Sequence, residues 1–292
     1  MHKTRKHLLL SAAAAEFVAV ASYAPRADAQ EIQLTGPLAG APAVRKLRLY
    51  REGRIDIEPS VSFTLLDEYR RTIIPGATLQ YNVTDYLGVG VWGGYGVISL
   101  ATDLTDQIDS TAARNSRTAP NVNHSGTDAA SFAKGPSFAD QTAKLTYFIA
   151  PQAQFAPFRG KLAIFQKFFV DTDLYVHGGL ILVGVQERGS CGFEGKPACT
   201  DPKSFALESR TAVAPTFGLG LSFYTSNLLS FRLEYRAFPF SWNRPGFDQR
   251  GSGNNAKAPD NKVDGEDQTF KFNQMITLGV GISLPGQPKT SD

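Results

Sequence analysis

Long stretches of this chain alternate apolar residues with polar or small ones, two residues to a period. The alternation is unbroken over residues 54–65, where Ile55, Ile57, Pro59, Val61, Phe63 and Leu65 are interleaved with Arg54, Asp56, Glu58, Ser60, Ser62 and Thr64. Seven further stretches are predicted to be strands, residues 72–82, 86–98, 144–155, 173–186, 211–223, 228–241 and 270–284. Because a period of two places successive side chains on opposite faces of a strand, the pattern predicts an all-β fold of eight strands.

The length of these strands separates two β architectures. Strands of soluble sandwiches average about five or six residues, whereas membrane barrels use strands of about ten. A barrel also keeps mean hydropathy low, because apolar outward residues alternate with polar or small inward ones, and here the value is −0.19. We therefore predict an eight-stranded antiparallel up-and-down transmembrane β-barrel. The register of residues 173–186 stays open, because both faces of that segment are apolar.

The predicted connections are short on one side of the barrel and mostly long on the other. Residues 82–86 and 225–227 are short, while residues 99–141, 188–209 and 242–268 are long and polar. Outer-membrane barrels have short periplasmic turns and longer extracellular loops. We therefore expect a bacterial outer-membrane location with the long loops extracellular and both termini periplasmic.

The amino terminus resembles a secretory signal peptide. A basic start is followed by LLLSAAAAEFVAVAS and by an A-x-A site at Ala27–Ala29, which predicts cleavage after residue 29. The alternative is an uncleaved membrane anchor, although Glu16 interrupts the apolar run and the run is short for a spanning helix. The predicted organisation is residues 1–29 signal peptide, 30–52 periplasmic segment, 53–284 barrel and 285–292 tail.

Net charge argues against a nucleic-acid partner. Removal of residues 1–29 takes away four basic and two acidic residues, so the formal charge falls from +3 to +1. Nucleic-acid-binding domains instead carry a strong basic excess or a basic patch.

The stretch GVGVWG, residues 88–93, matches the G-x-G-x-x-G spacing of dinucleotide-binding turns. Its glycines lie inside a predicted strand, and no amphipathic helix follows to receive a phosphate. GxG recurs at 218–220 and 279–281, always on the predicted inward side. We interpret these glycines as a packing device that makes room for large inward neighbours such as Trp92.

Charged residues occur at inward positions of three predicted strands. They are Arg54, Asp56 and Glu58 on the first strand, Arg232, Glu234 and Arg236 on the seventh, and Lys271 on the eighth. Buried charges must be paired to be tolerated, so we predict an ion-pair network that plugs the lumen. The alternative is a narrow channel for ions or protons.

The remaining reactive residues suggest little chemistry. Cys191 and Cys199 are the only cysteines and lie in one predicted outer loop, which favours a disulfide over a metal site. His177 shares a strand face with Asp173 and Tyr175, which leaves a lipid-modifying enzyme as an alternative. We predict no cofactor, no metal and no enzymatic activity.

Two acidic runs lack calcium-loop spacing and are interpreted as solvated loop charge, namely Asp103, Asp106 and Asp109, and Asp260, Asp264, Glu266 and Asp267.

Several blocks resemble an outer-membrane β-barrel domain family common in myxobacteria and related δ-proteobacteria. They are the REGR start of the first strand, the GK-x-AIF-x-K block within FRGKLAIFQKFFVDTDLYVHGGL, and FRLEYRAF. The resemblance implies an OmpA-like small barrel without catalytic residues. The expected role is structural, scaffolding or surface-binding. Expected partners are outer-membrane lipid, the barrel assembly machinery, and proteins of envelope or motility complexes.

Overall fold

The structure is a computed structural model that describes residues 51–65, 67–111, 138–164, 168–199, 201–251 and 259–285. The predicted signal peptide, residues 30–50 of the predicted periplasmic segment, and residues 286–292 of the predicted tail lie outside the described residues. Within the described part, no helix has the length and apolar character needed to cross a membrane.

Nine strand segments form a single antiparallel sheet. They are β1 Ile55–Leu65, β2 Arg70–Asn82, β3 Leu87–Tyr95, β4 Ile98–Ala101, β5 Lys144–Ile164, β6 Phe168–Arg188, β7 Leu207–Tyr224, β8 Leu229–Trp242 and β9 Thr269–Leu284. β3 and β4 both pair with β2, so together they make one of eight barrel strands. β1 pairs with β2 on one side and with β9 on the other, which closes the sheet. The predicted eight-stranded up-and-down barrel is confirmed.

Each predicted strand coincides with an observed one, and the largest difference lies in a connection. The stretch from Phe155 to Val170 is longer than a usual periplasmic turn, and the sequence leaves open that it includes part of a strand or a short interfacial segment. In the structure β5 and β6 stay paired as far as Ile164 and Phe168, so the strands continue through this stretch as a long hairpin. A β-bulge between Phe155 and Phe158 interrupts the alternation there, which explains why a period-two pattern ends early.

Residues that alternate in the sequence point alternately into the lumen and out of the barrel. Along β1 the exposed and buried residues strictly alternate as far as Ser62, with Asp56 and Glu58 buried and Val61 53% exposed. The segment of uncertain register, β6, directs Tyr175, His177 and Ile181 inward. A polar inner face and an apolar outer face are the reverse of a soluble protein, and they are typical of a barrel that spans a lipid bilayer.

Two helices lie beyond β4, at the end of the barrel that carries the long connections. α1 spans Asp103–Thr111 and α2 spans Phe138–Gln141. The described parts of the connections after β4, β6 and β8 form a compact structure over this end, which we call the outer cap. We call the opposite end, with the short turns, the inner end.

Candidate functional site

The lumen of the barrel is the candidate site, and its inner half holds charged side chains. Arg232 lies between two carboxylates of β1, 2.8 Å from Glu58 and 3.5 Å from Asp56. Asp56 also accepts a 2.8 Å hydrogen bond from the side chain of Asn82. The Arg232 guanidinium lies 5.5 Å from the centre of the Tyr175 ring. Every charge in this group has a partner, as burial of charge requires.

A second group surrounds Glu234. Its carboxylate accepts hydrogen bonds from Arg236 at 2.7 Å and from the Tyr175 hydroxyl at 3.0 Å. His177 Nε2 lies 3.5 Å from the same carboxylate. Arg236, fully buried, also donates to Gln152 at 2.7 Å. We call both groups together the inner charge cluster, which comprises Asp56, Glu58, Tyr175, His177, Arg232, Glu234 and Arg236.

The glycines of the GxG repeats lie beneath these contacts. Gly279 on β9 lies between Ser60 of β1 and Arg232 of β8, and a methyl group there would meet the Glu58 carboxylate. Gly220 on β7 separates Tyr175 from Glu234, and a methyl group there would meet the Tyr175 ring. The glycines therefore let long side chains bond across an intervening strand. This is the packing role that we expected of them.

Two residues of the predicted network lie outside the cluster. Arg54 donates to the backbone carbonyls of Asn227 at 2.5 Å and Ser283 at 3.2 Å, near the inner end. Lys271 lies near the outer end, 32% exposed, with its Nζ 3.6 Å from Glu68. Its strand lies between the first and the seventh, but the register aligns Lys271 with Phe240, four residues beyond Arg236 along β8 and so nearer the outer end.

A further ionic group at the inner end was not anticipated from the sequence. Arg51 and Arg159 both pair with Asp173, the latter at 3.4 Å. Asp85 accepts a 2.7 Å hydrogen bond from the Arg51 backbone, and Arg159 approaches it to 3.8 Å. Arg159 and Asp173 carry opposite charges and face each other across the β5–β6 hairpin. The sequence contains both residues, but their pairing can be predicted only once the register of the hairpin is known.

The outer half of the lumen holds an apolar core beside polar inward residues of β1 and β9 such as Thr64 and Asn273. Its main members, which we call the outer aromatic core, are Trp92, Phe148, Phe238, Phe240 and Trp242. Their rings follow one another at centroid distances of 5.8 Å for Trp92 and Phe148 and 5.9 Å for Phe148 and Phe238. Arg236 joins the two halves, because its guanidinium lies 4.9 Å from the Trp92 ring. These side chains are buried, so they fill space in the outer half of the lumen.

The outer cap covers the outer aromatic core and is held by one buried arginine. Arg188, at the end of β6, donates to the carbonyl oxygens of Cys199 at 2.8 Å and Gly246 at 3.0 Å. Its guanidinium stacks 4.2 Å from the Phe205 ring centre. Cys191 and Cys199 form the predicted disulfide within this cap. The Cys191 backbone also donates to the Val263 carbonyl at 3.1 Å, which ties the β6–β7 connection to the β8–β9 connection.

Carboxylates of the second acidic run bind backbone rather than solvent. Asp267 accepts hydrogen bonds from the backbone of Gln249 at 2.6 Å, Arg250 at 2.9 Å and Asp264 at 3.0 Å. Burial raises the pKa of Asp267, and these three hydrogen bonds oppose the rise. The interpretation of this run as solvated charge is therefore wrong for Asp267, because a chain turn needs its N–H groups satisfied. The side chain of Asp109 lies outside the described residues.

His177 is buried within the lumen. Its side chain is 0% exposed, and it lies inside the inner charge cluster. Within the described residues, no group of three or more histidine, cysteine or acidic side chains is placed to hold a metal ion.

A closed ladder, an apolar exterior, and a lumen that holds paired charges and aromatic rings define an eight-stranded transmembrane β-barrel. No family model matches the chain, and no curated protein matches its sequence.

Several solved barrels are distantly similar in structure. The N-terminal β-barrel domain of Pseudomonas aeruginosa OprF is 11% identical over 80% of this chain and 98% of that chain, with a TM-score of 0.41. The outer membrane protein OprG from Pseudomonas aeruginosa is 10% identical over 82% and 99%, with a TM-score of 0.37. Ail, the attachment invasion locus protein of Yersinia pestis, is 12% identical over 80% and 99%, with a TM-score of 0.31.

Proposed function

We propose that this protein is a non-enzymatic outer-membrane barrel whose lumen is closed and whose work is to hold the outer cap at the cell surface. The observation that carries the proposal is the filling of the lumen by the inner charge cluster and the outer aromatic core. Lipid-facing apolar side chains and the long connections at one end support an outer-membrane location with the cap extracellular. Membership of the myxobacterial and δ-proteobacterial barrel family is proposed on the sequence blocks alone.

Conductance of the purified protein in planar bilayers tests the closed lumen. We expect no steady single-channel steps, because ion pairs occupy the inner half of the lumen and buried aromatic rings occupy the outer half. A parallel gel of heated and unheated samples shows whether the preparation is folded, since closed barrels often migrate differently before and after boiling. Steady steps from a folded, heat-modifiable preparation would refute the closed lumen and favour the narrow channel.

The enzymatic alternative rests on His177 and is tested at that residue. A general base must reach the proton it abstracts, and a fully buried side chain cannot meet a lipid substrate. We therefore expect His177→Ala to leave the lipid A acylation profile of the cell unchanged. A changed profile, with the variant still inserted in the membrane, would instead establish an enzymatic role.

The protein partners are proposed from the expected outer-membrane location of the barrel. The barrel assembly machinery would insert the chain, and residues 30–52 would face periplasmic components of envelope or motility complexes. Crosslinking from a reporter placed at Glu52, which follows the buried Arg51, tests the second part. Capture of periplasmic proteins by the full chain, compared with a reporter at the cap residue Lys196, would support it, and equal capture at both sites would refute it.

A further inference from the structure

A groove of about 650 Å³ crosses the outer wall of the barrel where the sheet closes. It runs over β1 and β9 and reaches β2, β8 and β7. Its sides are outward residues, among them Pro59, Val61, Pro75, Phe231, Leu278 and Val280. Its volume lies within the roughly 300–1,000 Å³ of pockets that hold a small molecule. The wall of a narrow barrel is convex, so a depression of this size needs a local cause.

The groove follows a run of short outward residues, Pro59, Val61, Pro75 and Val280, over a floor of main chain. Gly279 and Arg232 lie in that floor at inward positions, and the Arg232 side chain pairs with Glu58 in the lumen at 2.8 Å. The β1–β9 ladder is also interrupted, because no paired partners occur between Ile57 and Ser60. Pro59 lies in that gap and has no N–H to donate. Short outward residues over an interrupted ladder leave the groove open between the larger Phe231 and Leu278.

The groove is continuous with the lipid-facing surface. Val61 is 53% exposed and Leu278 is 62% exposed on either side of it, so both belong to the apolar band of the barrel. The groove also lies nearer the inner end of the barrel. Leu278 is six residues from the inner end of β9 at Leu284, and Phe231 is two residues from the inner end of β8 at Leu229.

We propose that this groove binds one acyl chain of a glycerophospholipid in the periplasmic leaflet. The assignment of leaflet rests on the orientation given under the proposed function. The chemistry of the lining selects the chain rather than the headgroup. Arg232 is the only charged residue among those that line the groove, and its guanidinium is engaged inside the lumen. Binding is by van der Waals contact, because lipid offers no hydrophobic driving force beyond that already present in the bilayer.

Filling the groove tests the proposal. The full chain is reconstituted in nanodiscs of palmitoyl-oleoyl phosphatidylethanolamine and phosphatidylglycerol in equal amounts, and released barrels are weighed by native mass spectrometry. We expect one retained phospholipid on the natural protein, with both headgroups equally represented. Val61→Phe or Val280→Phe should lower the lipid-bound fraction, because the added ring occupies the space that the acyl chain would fill.

The matched control is Val213→Phe on β7, where an outward valine 64% exposed lies outside the groove. It should retain lipid like the natural protein. The proposal would be overturned if all variants retained lipid equally or if the natural protein retained none. It would also be overturned if the groove-filling variants lost a dimer rather than lipid. Failure of the natural protein to insert into vesicles would instead refute the membrane location, so the two proposals fail in different ways.

Discussion

The two halves of the lumen are closed by different physics. In the inner half, Arg232 and Arg236 are held by carboxylates at 2.7–3.5 Å, so each guanidinium depends on particular acidic partners. In the outer half, rings such as Phe148 and Phe238 meet at about the distances expected of any well-packed aromatic pair, here 5.9 Å. Closure by pairing is specific, because losing one partner strands another. Closure by packing depends on volume and tolerates exchange among apolar shapes.

The largest effect that this comparison predicts is at Arg232. We expect Arg232→Met, which roughly keeps the side-chain volume, to lower the free energy of unfolding by about 3–5 kcal/mol, because Asp56 and Glu58 are left as unpaired buried charges. Urea titration of the barrel in phospholipid vesicles, followed by tryptophan fluorescence, measures the change.

A compensated variant controls this prediction. Arg232→Met combined with Glu58→Gln and Asp56→Asn removes the stranded charges and should recover most of the loss. If the triple variant is no more stable than Arg232→Met alone, pairing does not govern the inner half.

The next effect concerns a glycine that lies beneath the inner charge cluster. Gly220→Val places a side chain against the Tyr175 ring, so the hydrogen bond from Tyr175 to Glu234 is displaced. We expect a loss of about 1–3 kcal/mol in the same titration, the range for overpacking. Gly160→Ala is the control, because a methyl group there has no atom within 4 Å. Equal stability of both variants would contradict the proposed role of the glycines, which is to let side chains bond across an intervening strand.

The smallest effect is predicted in the outer half. Phe148→Leu changes shape but strands no polar group, so it should cost less than about 1.5 kcal/mol. The same urea titration checks it against Arg232→Met. A loss as large as that of Arg232→Met would mean that the outer aromatic core is as specific as the inner charge cluster, and the distinction between the halves would fail.

Much of the wall could be predicted because it depends on local alternation alone. Residues 54–65 specify an inward and an outward face without reference to any other strand, and β1 has those faces. Residues 173–186 did not reveal their register, because the part of β6 from Ile181 onward faces lipid on one side and the apolar core on the other, and both environments are apolar. Alternation fails as a guide wherever the lumen is as apolar as the membrane.

Partners within the lumen were harder to predict than inward positions. Arg232 and Glu58 were recognised as inward, yet their contact passes over Gly279 on the strand between them. Lys271 has the same inward parity and takes no part, because the register carries it toward the outer end. Arg51 and Asp173 were not linked, since Arg51 precedes the first strand and only the closed barrel brings it to β6.

The sequence by itself determined that these strands form a barrel with an apolar exterior, because a two-residue period is a property of each strand alone. It also determined which glycines and charges point inward. Only the tertiary structure decided which inward groups meet, how the lumen divides into a charged and an apolar half, and where the wall opens into a groove. The reason is that these features depend on the relative register of strands far apart in the chain, which backbone pairing around the whole closed sheet sets and no single segment encodes.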